Sequence, residues 1–206
     1  LSIAMDDTID ENWIKLFSKG LAEDQKKYNL TLLGGDTVLA PNGLFITINM
    51  LSRTNDTIIK RSSASCGDNI YVTGTIGNSA IGLYLLKNKN DNLGLDSKDR
   101  QNLIRKYHLP NPRLQTIQLI KNFASSSMDT TDGLINDLLV LAGTSGRVFT
   151  IKKRSIPYSV STKKFLNSYG DCDIALYGGD DYEVIFTSPM KFEDMLNEYA
   201  KKIKLR

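Results

Sequence analysis

The sequence predicts an α+β protein, on three observations. Short apolar runs of strand length alternate with longer segments of helical periodicity, but in no strict repeating strand–helix unit, which disfavours a doubly wound parallel sheet. The chain has 206 residues, 41% hydrophobic and 24% charged, an ordinary balance for a soluble globular protein that buries a core. No internal repeat or low-complexity tract is present, and no apolar run approaches the ~20 residues of a membrane helix. The length suits one large domain, or a domain plus part of another.

The elements follow in order. The opening LSIAMDDTIDENW has no basic n-region and no cleavage site, so no secretory signal is expected; it lacks an initiator Met and opens inside a strand-like run, Leu1 to Met5, so a fragment whose N-terminus lies upstream is expected. Thr8 and Glu11 have capping-box spacing and predict a helix with Trp13, Phe17, Leu21 and Tyr28 near one face. A short strand is expected over Leu30 to Leu33, then Gly34-Gly35-Asp36-Thr37. The turn Asn42-Gly43 precedes a strand over 44–51. The polar stretch Arg53 to Asp56 marks a boundary. Gly67-Asp68 turns into a strand from Ile70 to Thr73, Asn78 to Lys87 is helical, and 88–95 is a loop. Asp96 caps a helix to His108, which Pro110 and Pro112 stop. A helix over 113–124 leads to the loop Met128 to Gly133 and an apolar helix from Leu134 to Ala142, ended by Gly143 and Gly146. Strand 148–152, a short helix near 160–168, strand 173–177, loop 178–181, strand 182–187 and a final helix complete the chain.

Composition excludes several functions. Cys66 and Cys172 have no ligand-type spacing and read as free thiols of a reducing cytoplasm. His108 is the sole histidine and builds no metal site alone. The net charge of +3 is scattered rather than striped, so no nucleic-acid partner is expected, and no membrane.

Three loops carry the candidate chemistry: LLGGDT (32–37), MDTTDG (128–133) and YGGDDYE (177–183). They set Asp36, Asp129, Asp132, Asp180 and Asp181 in glycine-flanked turns. Glycine lets backbone approach a phosphate closely, and aspartate oxygens suit a hard cation such as Mg²⁺, which bridges phosphate oxygens. A helix opening near Asp132 would also present its amides to an anion. Taken singly, a Gly-Gly-Asp is more often an ordinary turn and Asp132 before a helix more often a simple cap, and spacing cannot show that the three loops converge. There is no P-loop, no complete dinucleotide fingerprint (Gly74 and Gly77 lack a third glycine) and no protein-kinase set.

LLGGDT, RSSASCGDNIYVTGTIGNSAIGL, KYHLPNPR, MDTTDGLINDL and YGGDDYEVIFT occur in the order and approximate spacing of the thiamine-monophosphate kinase family, which the chain resembles along nearly all its length. That family belongs to the aminoimidazole ribonucleotide synthetase-like superfamily. The resemblance implies two α+β domains: residues 1–53 as the C-terminal part of an incomplete N-terminal domain, and 54–206 as most of the second. It implies ATP-dependent phosphorylation of thiamine monophosphate with Mg²⁺, in a cytoplasmic homodimer. Gly35 and Asp36 would contact ATP, with Asp36 also a Mg²⁺ ligand. Arg61 would hold the nucleotide phosphates, Asp129 and Asp132 would bind further Mg²⁺, Thr131 would bond a phosphate, and Asp180 would contact thiamine monophosphate. No residue is an obvious nucleophile, which fits direct transfer.

The chain departs from the family at Val38-Leu39-Ala40, where the family has Thr/Ser-Arg-Gly, and it lacks a family N-terminal segment bearing further Mg²⁺ aspartates. Two other readings stay open here. One is another ATP-using superfamily member of the aminoimidazole ribonucleotide or selenophosphate synthetase type. The other is a non-catalytic fragment or degenerate relative.

Overall fold

The computed structural model describes residues 1–54, 57–91 and 93–205. The chain divides into two compact units, residues 1–56 and 57–206. Asn55 and Asp56, half of the expected boundary segment, lie outside the described residues, as does Asn92 of the 88–95 loop.

In the first unit, β1 (Ser2–Met5) is the middle of a three-stranded sheet, between β2 (Asp36–Leu39), parallel to it, and β3 (Leu44–Thr47), antiparallel. Helix α1 (Glu11–Tyr28) joins β1 to β2. Its cap is Asp10, not Thr8: the Asp10 carboxylate accepts from the Trp13 amide at 2.7 Å, whereas the Thr8 hydroxyl is spent on Asp6 at 2.5 Å. The expected strand over Leu30 to Leu33 is irregular, and the strand begins instead at Asp36, where pairing with β1 starts. Similarly, only Leu44–Thr47 of the run 44–51 finds a ladder. The apolar side chains here are poorly covered within the chain: Leu39 is 81% and Phe45 62% exposed.

The second unit is built on a sheet ordered β4 (Asp68–Val72), β6 (Glu183–Pro189), β5 (Ser126–Thr130), with β6 antiparallel to both neighbours. Helix α5 (Leu134–Ser145) lays Leu134, Leu138 and Leu141 against Ile76 and Ile185, an i, i+4, i+7 stripe in a buried cluster. A second cluster joins Ile81 and Leu85 of α2 (Asn78–Lys87), Leu103 of α3 (Ser97–His108) and Phe165 of α6 (Val160–Tyr169). A third holds Leu119 of α4 (Ile117–Phe123) and Leu196 of α8 (Glu193–Lys202) against Phe186.

Several expectations fail in this unit; α5, for one, runs past Gly143 to Ser145, with Gly146 alone as its cap. Residues 173–177 form a short helix, α7 (Asp173–Tyr177), because a five-residue apolar run carries no period that separates strand from buried helix. Residues 148–152 pair with no strand among the described residues, and Val148 is 95% exposed. Met128 to Thr130 belong to β5 rather than to a loop; the polar stretch SSMDT shows no alternation in sequence but is zipped to β6 residue by residue. A groove of about 940 Å³ lies between the sheet and the 147–157 segment, lined among others by Ile70, Leu138 and Phe149; none of the residues assigned chemistry borders it. Among the described residues no helix is long and apolar enough to cross a membrane.

Candidate active site

Strand β5 delivers the chain into a tight turn, 131–133, from which α5 starts. Asp132 does not cap α5. The cap position is Gly133, with φ 106° and no side-chain hydrogen bond. The turn is held instead by Asp137, one of whose carboxylate oxygens accepts from the amides of Thr131 and Asp132 at 3.0 and 3.2 Å. The turn amides that could have met an anion at residues 131 and 132 are therefore already engaged. Burial pushes the Asp137 carboxyl above its ordinary value; the two amides pull it back, while Asp132 and Asp129 push it further up. Asp137 stands on the apolar stripe of α5, one residue before Leu138. A carboxylate at a stripe position is the signal in the sequence that marks such a residue.

The 177–183 loop closes over this turn. The Asp180 amide donates to the Thr131 carbonyl and the Tyr182 amide to the Thr130 carbonyl, both at 2.9 Å. Asp180 and Tyr182 are held in the left-handed region, φ 70° and 50°, a strain of about 1–3 kcal/mol each that these two bonds oppose. The approach needs glycine: a Cβ at Gly179 would fall 2.1 Å from the Thr131 carbonyl oxygen, and one at Gly133 2.6 Å from Tyr177 backbone. Burial raises the Tyr182 phenol, and Asp180 and Asp129 add to the rise. Two of the three loops thus converge. Asp129 and Asp132 are exposed and Asp180 half-buried, and among the described residues none of the three is in an ion pair.

Other motif carboxylates turn out to be structural. Asp181 caps α2 from a distance, accepting from the Gly77 amide at 2.5 Å and the Ser79 amide at 3.1 Å. Burial raises its pKa from 3.8 to about 6, against the pull of those amides and helped by nearby Glu183. An unfolded aspartate would lose its proton near 3.8. Stability from this group is therefore full below about pH 4, falls as pH rises through about 6, and is level above. Urea unfolding of the parent is expected to lose on the order of 2–3 kcal/mol across that window relative to Asp181→Asn; parallel pH profiles for the two proteins would rule this out. Glu183, buried, takes a bidentate bond from Arg113 of KYHLPNPR and a hydroxyl bond from Thr73 at 2.9 Å.

LLGGDT lies in the first unit. Asp36 opens β2 rather than sitting in a turn and is exposed; its N–H donates to the Leu1 carbonyl at 3.1 Å, and its carboxylate accepts from the Thr37 amide at 2.9 Å. Gly35 is pressed on Leu1, the residue before β1, where a Cβ would lie 2.0 Å from the Leu1 carbonyl oxygen. The cavity beside it is only about 160 Å³. Arg61, in the second unit, is exposed, and its carbonyl accepts from Thr144 and Ser145 at the C-terminal end of α5. The 12 residues of α5 rise about 18 Å, so Arg61 and the Asp132 turn stand at opposite ends of that helix. The structure does not bring them together. Among the described residues the trio of ligand-type side chains gathered within 4.8 Å is Asp171, Cys172 and Asp173, all outside the assigned set.

No family model matches the chain. Its fold is that of the aminoimidazole ribonucleotide synthetase-like superfamily; Escherichia coli HypE, at 16% identity and TM-score 0.72, shares the fold alone. Within that fold the chain is a homologue of thiamine-monophosphate kinases over nearly its whole length. It is 37% identical over 202 residues to that of Haemophilus influenzae, covering 96% of this chain and 59% of the relative. The thiamine-monophosphate kinase of Stenotrophomonas maltophilia K279a superposes with TM-score 0.85 at 28% identity, over 100% of this chain and 66% of that one. AaThiL complexed with AMPPCP and TMP gives 0.79 at 26%, over 92% and 60%. The chain thus spans about three fifths of the length of these relatives.

Proposed function

We propose that the chain is the larger part of a kinase that transfers the γ-phosphoryl group of ATP to the phosphate of thiamine monophosphate. A phosphate oxygen of thiamine monophosphate forms the new P–O bond, the bond to the β-phosphate oxygen breaks, and ADP and thiamine diphosphate leave. One observation carries the reading: the end of β5 with its turn and the 177–183 loop, hydrogen-bonded to each other, bring the segments bearing Asp129, Asp132 and Asp180 together, and among the described residues none of the three is in an ion pair. The relatives named above support the same substrates.

The donor set fits Mg²⁺. Asp129 and Asp132 are hard oxygen donors, exposed and, among the described residues, in no ion pair. Too few for a closed cage, they suit an ion that keeps waters and bridges phosphates. Asp129 and Asp132 would hold it, and it would neutralise the charge that two anionic reactants bring together; Asp36, in the first unit, is assigned separately to the nucleotide and a Mg²⁺ ion. Within the chain, Thr131 would offer a hydroxyl to a phosphate, and Asp180, on its strained turn, would contact thiamine monophosphate. Positioning and charge neutralisation suffice for such transfer without a side-chain base. Gly35 and Arg61 are assigned to the nucleotide. We extend the reading to a cytoplasmic homodimer, supported by the apolar side chains left open in the first unit.

The test is incubation of the intact protein with ATP, Mg²⁺ and thiamine monophosphate. Thiamine diphosphate should form; its absence, with the protein folded, would favour a non-catalytic relative.

A further inference from the structure

We infer that Asp137 is a positioning residue for this site, its carboxylate fixing the turn that carries Asp132. The inference rests on the metal–phosphate reading above.

Asp137 is 2% exposed, on the first turn of α5. Its position suits an apolar residue: Leu134, Leu138 and Leu141 of the same face lie in the core. A carboxylate there has to be desolvated, which disfavours folding unless its oxygens find donors. The donors it finds are the consecutive amides of Thr131 and Asp132, both on one oxygen. The next residue of helix α5's exposed side completes the grip, because the Asn136 amide nitrogen donates to the Asp132 carbonyl at 2.8 Å. Asp132 is thus held by its N–H from below and its C=O from the side, both by α5. On the other flank, Asp180 and Tyr182 hold the carbonyls of Thr131 and Thr130.

The Asp132 carboxylate itself forms no hydrogen bond or ion pair among the described residues. Its direction is set by the backbone that carries it, and Asp137 is the side chain that fixes that backbone on the helix side. Groups one layer behind a metal's ligands commonly change affinity or rate by about 10–100-fold when removed.

The experiment compares Asp137→Leu, Asp137→Asn and Asp132→Asn in the intact enzyme. Leucine suits the apolar stripe but accepts no hydrogen bond; asparagine loses the charge and keeps an acceptor oxygen. Three quantities are read: the rate, the Mg²⁺ concentration for half-maximal rate, and native-state hydrogen exchange of the Thr131 and Asp132 amides. Asp137→Leu should expose both amides to faster exchange and lower the rate, or raise the Mg²⁺ requirement, by about 10–100-fold, whereas Asp137→Asn should stay close to the parent in all three. Parental kinetics in Asp137→Leu would overturn the inference. Equal losses in Leu and Asn variants with unchanged exchange would also overturn it, because the charge and not the grip would then matter. If Asp132→Asn alone turns over normally, the metal reading fails, and exchange alone decides whether Asp137 holds the turn. Should Asp137→Leu not fold, exchange and kinetics of Asp137→Ser, whose shorter side chain cannot span to both amides, give the same decision.

Discussion

Asp132→Asn is expected to lower the rate of phosphoryl transfer by roughly 100-fold or more while leaving thermal stability within about 1 kcal/mol of the parent. The change is nearly isosteric and removes one negative charge from an exposed carboxylate that bonds no other side chain. The structure removes the main structural explanation for a loss. Had Asp132 capped α5, asparagine would have capped about as well; the cap is Gly133, and the turn is held through the Asp132 backbone, which the substitution leaves intact. The carboxylate also adds to the unfavourable field at buried Asp137, so neutralising it relieves the fold rather than straining it. Loss of rate with an unmoved melting curve is therefore the signature of a charge used on cation and phosphate. A parental rate would return Asp132 to the surface.

The loops of the candidate site and several helices are legible in the sequence, and what is not has identifiable causes. MDTTDG and YGGDDYE declare themselves by composition, because glycine and aspartate together are rare outside turns and ion sites. Helices α2, α3, α5 and α6 declare themselves by period and by caps such as Asp96, whose carboxylate takes the Asp99 amide. Short apolar runs gave no such signal: 148–152 and 173–177 have strand-like composition, but one finds no ladder and the other packs as a helix. Strand status depends on a partner that local sequence does not name. The same limit hid the roles inside the motifs. Asp180 and Asp181 are neighbours of identical type, yet the backbone of one bonds the Thr131 carbonyl while the carboxylate of the other goes to the amides that open α2, more than a hundred residues earlier. That division comes from tertiary contact alone. The distance between Arg61 and Asp132 is a like case, fixed by which end of α5 each one touches.

Arg113→Ala is expected to destabilise the second unit by about 3–5 kcal/mol, more than any substitution among the exposed aspartates. The guanidinium is 14% and its partner carboxylate 6% exposed, and the pair is bidentate. Glu183 opens β6, the central strand, and also takes the Thr73 hydroxyl at 2.9 Å, which in turn accepts from the Val184 amide at 2.9 Å. Removing the arginine leaves a desolvated carboxylate at the centre of this network, and the cost is that of an unpaired buried charge rather than of one lost contact. For a unit of this size the melting temperature should fall by about 6–20 °C. The double replacement Arg113→Met with Glu183→Gln separates the two contributions: with no charge left to strand, it should recover at least half of the loss, since a buried pair is often dispensable when both members go. It should also keep Thr73 bonded, because glutamine retains an acceptor. The coupling energy from the double-mutant cycle measures the pair directly. A melting temperature for Arg113→Ala within 1–2 °C of the parent, about what an ordinary surface change gives, would mean that water or another cation reaches Glu183, and the buried-pair account of why KYHLPNPR and YGGDDYE stand together in this chain would fail.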